Sequence, residues 1–183
     1  MSNGESVYRR FLDGDTEAFD EIWKTYRDSL TFFIQRYVSD FGAAEDIAID
    51  VFTYILVHPQ RYNFKVSLKT YIFMLGRSRA LDLLRHRKAL IMTELSEADG
   101  VADALSVEET VLRAEDRRQL NRALEQLPQD MRIAVHLVYF EELSYEETAR
   151  VMKKNKKQID NLLYRAKKSL REILERGKNC ETE

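Results

Sequence analysis

Six polar side chains share one face of a basic helix near the C-terminal end of the sequence. Between residues 156 and 176 the apolar residues recur at helical spacing, which places amide, aromatic and cationic groups on the opposite face. Amide and guanidinium groups can bond base edges and phosphates in a major groove. We therefore predict that this face binds duplex DNA; the alternative is an ordinary amphipathic helix with a solvated basic face. The six residues, here called the recognition face, are Lys157, Gln158, Asn161, Tyr164, Arg165 and Lys168.

The segment before this helix determines how it could enter a groove. Ser144 and Glu147 have the spacing of a capping box and predict a short helix that ends near Met152. Asn155 can cap the long basic helix, and a short helix, a tight turn and a longer helix together predict a helix-turn-helix. Lysines at the turn are expected to reach flanking phosphates without reading sequence. These turn lysines are Lys153, Lys154, Lys156 and Lys157.

A loop earlier in the chain, residues 58–69, mixes aromatic with basic residues and precedes another basic helix. Stacking surfaces beside positive charge suit unpaired nucleic acid. Tyr62, at the centre of the loop, is the candidate to stack on an unpaired base. In the alternative, Tyr62 packs on the following helix and anchors the loop. The aromatic and basic residues concerned are Arg61, Tyr62, Phe64, Lys65, Lys69, Tyr71, Arg77 and Arg79.

A third candidate surface lies on the helix predicted over about 43–57. Asp46, Ile49, Asp50 and Thr53 share the side turned away from the apolar stripe. An isoleucine among carboxylates on an outward face indicates a docking surface for another protein, although single exposed apolar residues are also common. Asp46 and Asp50 could also hold a metal ion, but no histidine or third carboxylate stands at a useful spacing, so we expect no metal.

The elements that position these residues are helical throughout, so the predicted fold class is all-α. Two small helical domains, over 7–92 and 111–178, are joined by a flexible acidic linker over 93–110, and the second contains the helix-turn-helix. Charge follows this division. Residues 61–88 have a net charge of +7 and residues 150–178 of +8, whereas residues 93–112 have −6. Two basic segments separated by an acidic one indicate two contacts with a polyanion.

Composition excludes several classes of protein. The chain has 183 residues, of which 44% are hydrophobic and 33% charged, as in globular rather than disordered proteins. A single cysteine, Cys180, excludes an intramolecular disulfide and favours the reducing cytoplasm. The N-terminus does not have the pattern of a signal peptide, and no apolar run is long enough to span a membrane. There is no P-loop, nucleophile–base pair or metal cluster, so we expect neither an enzyme nor a cofactor.

Four segments together resemble a known family. They are AEDIAIDVF (44–52), SLKTYIFMLGRSRALDLLRHRK (67–88), LPQDMR (127–132) and LSYEETARVM followed by IDNLLYRAKKSL (143–152 and 159–170). In order and spacing they are similar to the extracytoplasmic-function (ECF) sigma factors, the smallest members of the sigma-70 family. The resemblance extends from about Val7 to about Glu175.

The resemblance implies roles for individual residues. Asp46 and Asp50 match carboxylates that contact the β′ subunit of RNA polymerase, and Ile49 stands where glutamine is usual. Asn161, Tyr164 and Arg165 match positions that contact the −35 element. At the turn, KKNKK (153–157) replaces a glycine-containing sequence, and Asp160 and Leu162 stand where basic residues are common. The −10 element is assigned to Arg61, Tyr62, Asn63, Phe64, Lys65, Tyr71 (for tryptophan), Arg77, Ser78 (for asparagine) and Arg85.

The resemblance thus implies a non-catalytic initiation factor. Its expected partners are the β′ and β subunits of core RNA polymerase, promoter DNA and an anti-sigma protein that covers its binding faces. Two other classes remain as alternatives. A helix-turn-helix regulator would use the first domain for sensing or dimerisation, and a nuclease would need a metal-binding carboxylate cluster in a basic cleft, which the sequence does not show.

Overall fold

The computed structural model describes residues 3–93 and 119–180 of the chain. The described residues form helices, turns and loops and include no strand. They divide into two compact units. The first contains the described residues 3–93, and the second contains most of residues 119–180. The predicted all-α class with two helical domains is confirmed. The predicted linker over 93–110, apart from Thr93, lies outside the described residues.

Local capping determines where the helices of the first unit begin. Helix α1 spans Asn3–Leu12 and α2 spans Thr16–Gln35, whose first amides are capped by the Asp15 side chain. Helix α3 spans Phe41–Val57, with Asp40 as its N-cap, and a 3₁₀ turn follows over Pro59–Arg61. Helix α4 spans Leu68–Thr93, and the Ser67 hydroxyl accepts a bond from the Thr70 amide at 3.3 Å.

The core of the first unit is formed by apolar stripes of its four helices. Phe33 and Phe73 pack against each other with ring centroids 4.8 Å apart, which joins α2 to α4. Trp23 of α2 lies against Phe52 of α3 at 4.9 Å. Gly76 allows α2 and α4 to approach closely, because a Cβ atom there would lie 2.7 Å from Leu30 Cδ1. The unit begins with α1 at Asn3, ahead of the predicted domain start at residue 7.

The second unit is smaller and is built around the helix-turn-helix. Residues 119–125 form α5, and α6 spans Gln129–Val135 and continues as a π-helical turn over His136–Phe140. Helix α7 spans Tyr145–Met152 and α8 spans Lys156–Cys180. The core side chains Ile133, Leu137, Ile159, Leu163 and Ala166 have at most 1% of their surface exposed.

The described helices show no feature of a membrane span. Within residues 3–93 and 119–180, none of the helices combines the length and hydropathy needed to cross a bilayer.

Candidate nucleic-acid interface

Reciprocal capping bonds define both helices of the helix-turn-helix. The Ser144 amide donates to Glu147 Oε2 at 3.0 Å, and the Glu147 amide donates to Ser144 Oγ at 3.2 Å. This is the predicted capping box. The same reciprocal pattern starts α8, where the Asn155 amide donates to Gln158 Oε1 at 2.9 Å and the Gln158 amide donates to Asn155 Oδ1 at 2.8 Å. The recognition helix therefore has a fixed starting point relative to the turn.

The turn itself contains a lysine in a left-handed conformation. Lys153 has φ +52°, a region that glycine and asparagine occupy most easily. The Lys154 amide donates to the Ala149 carbonyl at 2.9 Å, which closes the end of α7. Lys153 thus takes the backbone role expected of glycine at this turn.

The recognition face is exposed along its whole length. Lys157, Gln158, Asn161, Tyr164, Arg165 and Lys168 are all exposed, and Tyr164 keeps 72% of its surface accessible. Ile159, Leu163 and Ala166, on the opposite side of α8, are buried. Gln158 also caps the helix, because its side-chain oxygen accepts a hydrogen bond from the Asn155 amide. The structure therefore brings the six predicted residues together on one surface.

The turn lysines are not equivalent in the structure. The Lys154 ammonium forms an ion pair with Asp130 at 3.0 Å, and Lys156 forms one with Glu146. That carboxylate raises the pKa of the Lys156 ammonium. Lys153 and Lys157 are exposed, and neither belongs to an ion pair among the described residues. Two of the four charges are thus already opposed by carboxylates, which sequence spacing does not show.

The loop between α3 and α4 is closed by two buried tyrosines. Tyr62 is only 3% exposed, and its hydroxyl donates to the Val66 carbonyl at 2.8 Å. The Tyr8 hydroxyl of α1 donates to the Pro59 carbonyl at 2.8 Å, and its ring lies 4.9 Å from that of Tyr62. Burial raises the pKa of both phenols.

The burial of Tyr62 corrects one prediction. The ring predicted to stack on an unpaired base has no open face in this structure and packs inward, as in the anchoring alternative. The physical reason is the Tyr8 ring, which comes from α1 and completes an aromatic cluster around Tyr62. Tyr71 belongs to the same cluster, with its ring 5.1 Å from that of Tyr62.

The other residues assigned to the −10 element lie in the loop and along α4. Phe64 is partly exposed, and the Asn63 side chain caps the loop by accepting from the Lys65 amide at 3.1 Å. Arg85 pairs with Asp82 at 2.9 Å, one turn away on α4. Arg61, Asn63, Lys65, Ser78 and Arg85 are exposed, whereas Tyr71 and Arg77 are partly buried.

The outward face of α3 has the predicted exposure. Asp46, Asp50 and Thr53 are exposed, and Ile49 keeps 49% of its surface accessible. The face is more apolar than expected, because Leu56 and Val57 at the end of the helix are 50% and 62% exposed. We call these six residues the α3 outer face. No group of three His, Cys, Asp or Glu side chains within the described part of the chain could hold a metal ion.

Two family models match this sequence. The model for Sigma-70 region 2 matches residues 22–90, which include α3, the loop and most of α4. The model for Sigma-70, region 4 matches residues 117–170, which include the helix-turn-helix. Each model therefore covers the candidate surfaces of one unit, while α1 lies outside both matches.

Whole-length relatives agree with these matches. The ECF RNA polymerase sigma factor SigM of Bacillus subtilis is 26% identical over 167 residues, which cover 90% of this chain and 99% of the relative. The RNA polymerase sigma-H factor of Pseudomonas aeruginosa is 28% identical over 182 residues, covering 93% of each chain.

Solved structures show the same fold. The sigma factor RpoE of Bartonella quintana, in complex with the anti-sigma factor NepR, superposes with a TM-score of 0.71 at 21% identity and covers 87% of this chain and 98% of its own. CnrH, in complex with the cytosolic domain of CnrY, has a TM-score of 0.67 at 16% identity, over 95% of this chain and 98% of its own.

Proposed function

Because the chain belongs to the ECF group of the sigma-70 family, we propose that it binds core RNA polymerase and directs it to promoters. The first unit recognises the −10 element and the second recognises the −35 element. The observation that carries this proposal is the joint presence, in one chain, of an exposed recognition face on α8 and an aromatic-basic loop beside the α3 outer face. A DNA regulator with a sensing domain requires the first feature and neither of the others.

In this account the protein performs no chemistry. It contributes binding free energy and positions the polymerase on the promoter, while the polymerase carries out nucleotide transfer. The exposed amide and guanidinium groups of Asn161 and Arg165 bond base edges in the −35 major groove. Lys153 and Lys157, which form no ion pair among the described residues, hold the phosphates beside it. The exposed loop residues Arg61, Asn63 and Lys65 and the exposed α4 residues Ser78 and Arg85 face the −10 strand.

The α3 outer face suits a protein partner. It combines three exposed apolar side chains with the carboxylates of Asp46 and Asp50, so a partner must offer an apolar patch beside basic groups. We assign this face to the β′ subunit of core RNA polymerase. The β subunit is a further expected partner.

Substituting lysine for Ile49 tests that assignment. An ammonium at this position meets whatever apolar surface receives the isoleucine, so core binding should weaken by about 1–3 kcal/mol, the scale of a buried interface contact. Titration of labelled protein with core enzyme measures the affinity. Leu90→Lys is the matched control, because Leu90 of α4 is 47% exposed and the substitution adds the same charge elsewhere. Equal core affinity for Ile49→Lys and wild type would remove the α3 outer face from the interface.

The unequal turn lysines give a second test. Replacing Lys153 and Lys157 together by alanine should flatten the dependence of log K on log salt by about two units, one for each lost phosphate contact. Affinity should fall equally for specific and scrambled −35 duplexes. The charge-neutral control is Lys154→Ala with Asp130→Asn, which removes an ion pair and should leave the slope unchanged. The same slope change in both variants would show that ion pairing does not distinguish these lysines.

A third protein partner follows from the family. Of the two solved structures described above, one is a sigma factor bound to an anti-sigma factor, and the other is CnrH bound to the cytosolic domain of CnrY. We extend this to the present chain as a partner that covers the α3 outer face and the recognition face together. Such a partner would compete with both core polymerase and DNA.

A further inference from the structure

Phe64 has a backbone conformation that bulky residues rarely adopt. Its φ is +60°, in the left-handed region where a Cβ atom meets the following carbonyl. Such a conformation persists only where surrounding contacts hold it, and it is concentrated at functional sites. Contacts made by the Phe64 side chain must therefore hold it in place.

Three side chains surround the Phe64 ring. The ring of Tyr62 lies 4.5 Å away and that of Tyr8 lies 6.0 Å away in an edge-on arrangement. The third neighbour is Arg9 of α1, whose Cζ lies 4.2 Å from the ring centroid, within the range of a cation–π contact. The Phe64 ring is thus a platform for Arg9, which comes from the first helix of the unit.

Arg9 differs from the arginine next to it. Arg10 is bound by two carboxylates, Asp15 at 2.7 Å and Glu21 at 3.1 Å. Arg9 is exposed, and no ion pair among the described residues includes it. Its guanidinium therefore has N–H donors directed to solvent while the Phe64 ring limits its motion. A planar cation held in this way is preorganised for phosphate, which it can bind through two parallel hydrogen bonds.

We propose that Arg9, resting on Phe64, binds a backbone phosphate of the single-stranded −10 DNA, so that α1 is part of the −10 surface. This inference rests on the proposed function of the loop. Arg61 and Lys65, which stand close to Phe64 in the chain, are also exposed cations. The match to the Sigma-70 region 2 model begins at residue 22 and leaves out α1. In other proteins that bind unpaired DNA, the strand follows a positively charged surface.

The test measures binding of the full chain to a fluorescein-labelled, randomised single-stranded oligonucleotide of about 15 nucleotides, near the upper site size for one binding module. Arg9→Ala and Phe64→Gly should each weaken binding by about fivefold or more. Glycine accepts φ +60° without strain, so Phe64→Gly removes the ring and keeps the backbone. The double variant should bind the oligonucleotide no more weakly than the more affected single variant. The reason is that Arg9 needs the Phe64 ring to hold it, and the Phe64 ring contributes to binding through Arg9.

Arg10→Ala is the control, since it removes the same charge from the same helix at a residue already bound by carboxylates. It should change single-strand affinity by less than about twofold. Equal weakening by Arg9→Ala and Arg10→Ala, or unchanged binding by Arg9→Ala, would overturn the inference and leave the −10 assignment in place. If the wild-type chain did not bind the single-stranded oligonucleotide at all, both the role of Arg9 and the −10 assignment would be refuted. Arg9→Ala alone decides the outcome if Phe64→Gly does not fold.

Discussion

Replacing Tyr62 by alanine is expected to lower the free energy of unfolding of the first unit by about 3–5 kcal/mol, as for other buried aromatic residues. The ring is almost fully buried among Tyr8, Phe64 and Tyr71, and its hydroxyl satisfies the Val66 carbonyl. Alanine would leave both a cavity and an unpaired carbonyl. Urea titration followed by tryptophan fluorescence measures this unit alone, because the single tryptophan, Trp23, packs on Phe52 in its core.

Tyr62→Phe is the matched control for this prediction. Phenylalanine keeps the ring and removes only the hydroxyl, so the loss should be about 1 kcal/mol. Alanine and phenylalanine variants of equal stability would contradict the anchoring role. So would a Tyr62→Ala variant that unfolds at the wild-type urea concentration but no longer binds single-stranded −10 DNA; that result would restore base stacking as the role of Tyr62.

Combined replacement of Asn161 and Arg165 by alanine should remove discrimination at the −35 element. Each bidentate base contact contributes about 1–3 kcal/mol of specificity, so we expect the preference for the specific duplex over a scrambled one to fall by about 3 kcal/mol, or roughly a hundredfold. Competition binding measures the ratio, with duplexes selected from a random library by the wild-type chain in complex with core polymerase.

Arg171→Ala is the control for the recognition helix. Arg171 is exposed on α8 outside the recognition face, so its loss should leave the specificity ratio unchanged. The contradicting result is a double variant that loses the same factor of affinity for the specific and the scrambled duplex, so that the specificity ratio is unchanged. Asn161 and Arg165 would then contact phosphates, and other residues would read the base edges.

Much of this architecture is predictable because it depends on short-range rules. The Ser144–Glu147 capping box involves residues one turn apart and is present as predicted. The exposure of the recognition face and the burial of Ile159 and Leu163 follow from helical periodicity alone. Ile49 is exposed for the same reason.

The features that were not predictable depend on contacts between distant parts of the chain. Whether Tyr62 points inward or outward depends on Tyr8, which donates to Pro59 across a separation of 51 residues. Periodicity over 16–37 predicts α2, but nothing in the pattern indicates that α1 precedes it and packs on the loop. The ion pair between Lys154 and Asp130 likewise joins the turn to α6 through side-chain rotamers that spacing does not determine.

Phe64 is another residue whose conformation depends on contacts with a distant part of the chain. Its aromatic character predicts a stacking surface, and its ring is indeed partly exposed. Its left-handed backbone and its contact with Arg9 are properties of the folded loop, and no sequence rule assigns them to a phenylalanine.

Reconstitution with core RNA polymerase tests the central claim most directly. The purified chain is mixed with core enzyme, the mixture is separated by gel filtration, and the complex is assayed for transcription on a library of genomic DNA fragments. We expect a stable complex that initiates at discrete start sites sharing −10 and −35 elements, whereas core enzyme alone does not. A chain that binds duplex DNA but elutes apart from core polymerase and directs no initiation would contradict it and would indicate a helix-turn-helix regulator instead.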